Sequence, residues 1–389
     1  MLENPNPDTA GVTVTYYREF SSPVVKTYAM RASSRLNILV NTQVSNSAVG
    51  MKVESASAIY AERVVYSRLD GHASHGIAAL SQTWYFAEGS TAAPFQTWLL
   101  LVNPQSASAR VTVSFLRESG TPVVRAYTLA PQSRMNVYVN NIVPNAAIAT
   151  TIVSDLPIVA ERSMYFGNGS HGSPGVVKPA QNWYLAEGFT GGGYDTWILL
   201  ANPGDTAAQT TVAFLLDNGA LVTRSYSVNP RSRLNVYANW IVPNSAFATQ
   251  VTASQPIVVE RAMYFGASNA RGGHSSEAAT QSATVWHLPE GSTQSPFNTF
   301  VLIMNPGDTP ANVVVNFLRE AAPAFIQTYV VAPNSRATVW VNKLIAGVAF
   351  STIVSADQPV VVERAMYFNN NSGGTVSLGI PGIGTATQR

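Results

Sequence analysis

The chain has 389 residues, a net charge of +2, no cysteine, and 11% charged side chains, against about a quarter in an ordinary soluble domain. The lack of cysteine excludes disulfide frameworks, thiolate metal sites and cysteine nucleophiles, and without a Lys/Arg cluster there is no electrostatic footprint for nucleic acid. Apolar residues make up 46%, enough for several cores, and no apolar run of about 18 residues predicts a membrane span.

In chain order the elements repeat. Asn-Pro opens the chain at Asn4-Pro5 and returns at Asn103, Asn202 and Asn305. A strand of period two follows each time: Val12, Val14 and Tyr16, then Val111, Val113 and Phe115, then Val212 and Phe214, then Val313, Val315 and Phe317. Ser-Arg comes next, at Ser34, Ser133, Ser232 and Ser335, and Glu-Arg closes each unit, at Glu62, Glu161, Glu260 and Glu363. All three dipeptides advance by 99, 99 and 103 residues, and the four extra residues fall in the Gly/Ser-rich stretch between Phe265 and Trp286. Turns such as Asn202 to Asp205 and Asp155-Leu156-Pro157 separate the apolar runs. The reading is all-β: four tandem immunoglobulin-like sandwiches of about 100 residues and about seven strands each, in a row, with negligible helix. The domains are 1–82, 83–182, 183–284 and 285–389.

A second block opens the later units: W-Y-F-A-E-G at Trp84, W-Y-L-A-E-G at Trp183 and W-H-L-P-E-G at Trp286. The first unit has none, because Met1 aligns with Leu100, so the first domain is expected to lack its N-terminal strand. Either the chain is a fragment, or another molecule supplies that strand. The opening block, the T-W-L-L-x-N-P strand (Thr97 to Pro104) and the P-I-V-x-E-R-x-M-Y-F close (Pro157 to Phe166) together resemble an uncharacterised repeat of large bacterial secreted and surface proteins. That resemblance spans the whole chain. It implies an extracellular or cell-surface β-sandwich module and transfers no catalytic residue. The last unit departs from the pattern at His287 and Pro289.

The recurrent charges are Glu88, Glu187 and Glu290 in the opening block, Arg134, Arg233 and Arg336 after the Ser, and Glu161-Arg162, Glu260-Arg261 and Glu363-Arg364 in the closing strand. Neighbouring strand residues face opposite ways, so one of each Glu-Arg pair lies on an apolar face and needs a partner. These residues are read as structural ion pairs forming a network of two acids and two bases within each domain. The other reading is a carboxylate pair for glycoside hydrolysis. His72 and His75 lack a third metal ligand, and Asp205 and Asp308 are explained by turn chemistry. No catalytic, cofactor or metal site is therefore assigned. Trp98, Trp197, Tyr138, Tyr237 and Trp340 occupy equivalent positions, read as packing residues with carbohydrate stacking as the alternative.

In the tail, Val376, Leu378 and Ile380 alternate with no further domain to join, and they are read as a candidate donor strand for the incomplete first domain of another copy. The expected function is a non-enzymatic structural subunit of an extracellular bacterial fibre, sheath or surface layer, with copies of itself as partner in a head-to-tail homopolymer. The alternative is an adhesin module that binds a cell-surface glycan, recognisable by ordered aromatic platforms on one exposed face of each domain.

Overall fold

The computed structural model describes residues 1–67, 69–266, 272–319 and 322–382. Its described residues are nearly all β, with one four-residue α-turn (Val40–Gln43) and three single-turn 3-10 helices.

The second unit shows how one repeat is built. Its longest strand, Ile148–Phe166, is shared between two antiparallel sheets. The first half pairs with Ala109–Arg117 on one side and the opening strand Ser81–Phe86 on the other. The second half pairs with Phe95–Asn103 and with the short strand Gly169–Pro174. Val123–Leu129 and Ser133–Tyr138 complete the two edges. The register shifts between Val153 and Ile158, where Pro157 has no N–H to offer the ladder. The expected turn at Asp155-Leu156-Pro157 is therefore a bend inside one 19-residue strand. The indole of Trp84 donates to the carbonyls of Ser81 and Ile158 beside that bend, as Trp183 does to Ala180 and Ile257, and Trp286 to Ala283 and Val360.

An immunoglobulin sandwich keeps two separate sheets, ABED and CFG. Here the sixth strand belongs to both, so each complete unit is one sheet folded on itself. Its core holds Trp84, Phe86, Val111, Val113, Phe115, Val137, Val139 and Ile152. The recurring Asn has a local cause. Buried Asn103 donates to the carbonyls of Ala107, Leu129 and Ala130 and receives the Gln105 N–H, tying off the loop after its strand. Asn4, Asn202 and Asn305 make corresponding bonds.

The first unit has the same plan with a gap. Val49–Ser55 and Tyr60–Tyr66 replace the single long strand, and among the described residues no strand takes the place of Ser81–Phe86 of the second unit.

The units do not stand in a row. The short strands Gly71–His75, Gly169–Pro174, Gly272–Glu277 and Gly373–Leu378 pack against one another in cyclic order, the fourth against the first. The molecule is a closed ring of four units with these inner strands about its axis. Small side chains permit the approach: a Cβ on Gly172 would meet the His72 ring at 2.9 Å. Val376 and Leu378 are buried in the fourth inner strand, paired with Ala365 and Glu363, and Ile380 pairs with His287. Val376, Leu378 and Ile380 therefore belong to their own unit and are not a free donor strand.

Candidate functional site

Each seam of the ring is built on the recurrent charges, and most of the partners come from neighbouring units; among these pairs Arg261–Glu187 stays within one unit, as the sequence reading expected. Arg162 meets Glu260 at 2.6 Å, Arg261 meets Glu363 at 2.7 Å, and Arg63 meets Glu161 at 2.8 Å. Arg364 meets Glu62 of the first unit at 2.9 Å, which closes the circle. The opening-block glutamates join from the side. Arg261 also pairs with Glu187 at 2.9 Å, Arg35 with Glu290 at 3.3 Å, and Arg233 approaches Glu88 at 3.9 Å. Arg336 donates to the carbonyls of Gly188 and Phe247, and Arg134 to that of Val49. Burial pushes the carboxyls of Glu260 and Glu363 up to about 7, against the pull of Arg162 and Arg261. Rings meet edge to face along the seams: Phe166 with Tyr264, Phe265 with Tyr367, and Phe368 with Tyr66.

Near one end of the axis sits Asp70, a residue the sequence reading did not single out. Its Oδ2 accepts the N–H groups of Ser170 and Gly273, and its Oδ1 that of Gly374. Gly71 gives a fourth backbone bond, so every unit contributes one donor to this carboxylate. Burial raises its pKa to about 6 even so. The other units carry Gly169, Gly272 and Gly373 at this position. Aligning the four repeats column by column would have exposed the odd residue.

Beneath Asp70 lie buried His72, His171 and His274, with Thr375 as the fourth equivalent. Burial depresses their basicity, His72 to about 3 with Arg63 adding to it, and His274 to about 4. His171 and His274 contact the hydroxyls of Tyr264 and Tyr367 through Nε2. These rings are neutral packing elements at ordinary pH.

At the far end the axis opens into a funnel of about 820 Å³ whose lining includes Pro174, Lys178, Gln281 and Leu378. Here the repeat pattern breaks. His75 pairs with Glu277 of the opposite unit at 3.1 Å, and Ser173 donates to the same carboxylate at 2.6 Å. Burial works against the His75 cation, yet Glu277 holds its pKa above the ordinary value. The Ser173 hydroxyl hydrogen-bonds to the carboxylate and the Pro174 carbonyl, an arrangement unlike the nucleophile-to-imidazole bond of a hydrolase triad.

The recurrent aromatics face outward. Trp98 and Tyr138 lie 4.5 Å apart across two strands, Trp197 and Tyr237 also 4.5 Å, and Phe300 and Trp340 5.9 Å. All are partly exposed, but Phe300 packs against the core of the fourth unit, while Trp240 beside Tyr237 is 85% exposed. The packing reading therefore holds only in part: Trp197 touches the apolar cluster of the seam between the second and third units. At that seam Trp197, Tyr237, Asp195 and Asn235 line a cleft of about 530 Å³.

No protein-family model matches the chain, and no curated protein matches it. Among solved structures it is similar to Thermotoga maritima 1070, at 16% identity and a TM-score of 0.25 over 26% of this chain and 94% of that one. It is similar to a Streptomyces avermitilis alpha-L-rhamnosidase complexed with L-rhamnose, at 9% identity and a TM-score of 0.14, covering 94% of this chain and 55% of that one. A tetra-tandem repeat in the extending region of a large adhesion protein gives 10% identity and a TM-score of 0.13, covering 97% of this chain and 92% of that one. Likenesses this low assign no activity.

Proposed function

We propose that the chain is a non-enzymatic binding module of the adhesin kind, acting at or outside the bacterial cell surface, with glycan as its ligand class. The observation that supports it is the outward aromatic pair found at the same place in three units: Trp98 with Tyr138, Trp197 with Tyr237, and Phe300 with Trp340. Aromatic faces stack on the apolar faces of sugar rings, and the adjoining cleft carries Asp195, which holds the Tyr237 hydroxyl, and Asn235, which bridges Arg233 and Glu118. Three platforms on one rigid ring suit multivalent attachment, in which weak single contacts add up. A weakly charged surface without cysteine fits a secreted setting. The recurrent carboxylates are engaged by arginines, which supports a binding role over hydrolysis.

The fibre reading loses its donor strand, since the tail is paired within the fourth unit. The test is a glycan array probed with the intact chain beside Trp98→Ala, Trp197→Ala and Trp340→Ala. A defined set of glycans bound by the parent and weakened roughly tenfold or more per platform, about 1.4 kcal/mol, is the expected result. Equal array profiles for the parent and all three variants would overturn the reading.

A further inference from the structure

Every unit has one outer strand that is paired on one side only: Val24–Met30, Val123–Leu129, Leu221–Val228 and Phe325–Val331. A free edge carries unpaired N–H and C=O groups and is a template for another strand, so proteins guard such edges with charge. Three of these four edges hold an exposed cation at the same place: Lys26, Arg125 and Arg224. Arg125 donates to the carbonyl of Val124 at 2.9 Å and Arg224 to that of Thr223 at 2.8 Å, which holds each charge against its own strand's backbone. The fourth edge has Gln327 there instead, half-buried.

The outward face of the fourth edge changes with it. Where Val330 stands, the other units have Ala29, Thr128 and Ser227, and where Val314 stands on the adjoining strand they have Thr13, Thr112 and Thr211. Ile326, Val330 and Val314 are 57%, 68% and 42% exposed. Val314 pairs with Thr328, between the other two, so the three side chains form one apolar patch along the edge. The strand reads Phe-Ile-Gln-Thr-Tyr-Val-Val. Rich in β-branched and aromatic residues, without charge, Pro or Gly, it has the composition of segments that pair with copies of themselves.

We propose that Phe325–Val331 is a dimerisation edge whose occupant is the same strand of a second copy of this chain. The two strands run antiparallel about Thr328, with Ile326 opposite Val330 of the other copy on both sides of the two-fold axis. The charges select a copy as the occupant. A cation on an edge repels a like edge, which brings an identical cation into the same ladder, but it would attract an acidic strand of another protein. Its loss at one edge therefore opens that edge to its own kind, while the other three stay guarded. One open edge per molecule gives an isologous contact that closes at two copies. A single strand pair buries less than the roughly 1,200 Å² of a standard interface, so the dimer dissociates on dilution. The strand lies well inside the chain, and the pairing does not depend on the glycan reading.

The test is sedimentation equilibrium of the intact chain beside Gln327→Arg, which restores the kind of residue the other edges carry. The mass should rise from one chain toward two between about 1 μM and about 1 mM, with a dissociation constant on the order of 100 μM. Gln327→Arg should weaken the dimer at least about tenfold at an unchanged Tm. The chain has no cysteine, so Thr328→Cys adds a single thiol. Residues opposite each other in an antiparallel pair lie about 4.5–5.5 Å apart at Cα, within disulfide reach. Under mild oxidation Thr328→Cys should cross-link at least about tenfold faster than Ala126→Cys, the same position on the guarded edge of the second unit. A single-chain mass throughout, a dimer equally strong in Gln327→Arg, a mass that climbs past two chains, or equal cross-linking of the two cysteine variants would each overturn the proposal.

Discussion

Replacing Arg364 by Met tests whether the ring is closed. Arg364 and Glu62 join the last unit to the first across 2.9 Å, with side chains 1% and 0% exposed. Met fills the volume but leaves the Glu62 carboxylate buried with the Glu290 N–H as a remaining donor. Removing one partner of a buried pair costs about 3–5 kcal/mol, whereas replacing both by apolar residues is often close to neutral. Glu62→Leu combined with Arg364→Met should therefore recover at least half the loss. If the ring melts as one unit, an entropy of about 2.1 cal/mol/K per residue gives roughly 0.8 kcal/mol/K for the chain, and Tm falls by only about 4–6 °C. If the first unit opens alone, about 80 residues carry the transition, and an early melting phase moves down by roughly 18–30 °C. Calorimetry separates the two cases. X-ray scattering of the parent should give a radius of gyration of about 21 Å for a compact body, against roughly 40 Å for four domains in line. A loss below about 1 kcal/mol for Arg364→Met, together with the larger radius, would refute the closed ring.

Other expectations follow from the same contacts. Trp183→Ala should cost about 3–5 kcal/mol in urea unfolding, because a fully buried indole and its two carbonyl partners are lost together. Asp70→Gly should destabilise by more than about 3 kcal/mol, since several buried N–H groups lose their acceptor; rising chloride should restore part of its Tm and leave the parent unaffected. His72 and His274 have folded pKa values of about 3 and about 4, so the unfolded chain takes up their protons first. The stability they contribute is whole above pH 6.5 and is lost as pH falls toward 4. Asp70, Glu260 and Glu363, raised to about 6, 7 and 7, act the other way, and their stability is lost as pH rises through those values. In denaturant titrations from pH 7 to 4, His72→Thr with His274→Thr should therefore lose less stability than the parent.

The repeat length and the strand periods were legible because each is a local pattern. The sheet pairing was not. A bent strand serving two sheets reads as two strands with a turn between them, since Pro157 marks a turn and a bend alike. The ion-pair residues were also legible, but adjacency on a strand says only that Glu161 and Arg162 face opposite ways. It does not say that one reaches backward and the other forward along the chain. Val376 and Leu378 looked ownerless because the inner strands of the other units have almost no apolar alternation to compare: Gly-His-Ala-Ser-His, Gly-Ser-His-Gly-Ser-Pro and Gly-Gly-His-Ser-Ser-Glu. Those strands are small and polar because they crowd an axis, a constraint that exists only once the ring is assembled. Asp70, by contrast, stands out in the sequence once the four repeats are set column by column, against Gly169, Gly272 and Gly373.

The opposed faces of the Glu-Arg pair also explain why the ring closes. Every unit offers a seam glutamate to the unit before it and an arginine to the unit after it, a heterologous contact that either propagates or returns on itself. In an open row of four, Glu62 and Arg364 would lose their ion pair beside Tyr66 and Phe368, and the inner strands would keep an uncovered face at each end. Closure pairs both charges, brings both rings edge to face and surrounds Asp70 with a donor from every unit. The four seams are not equal, however. The one between the first and second units lacks the opening block, has the most exposed charge pair, and has no Phe opposite Tyr165, because Ser67 stands where Phe166, Phe265 and Phe368 stand in the others. It is the weakest joint of the ring, and hydrogen exchange should reach its strands before those of the other three seams.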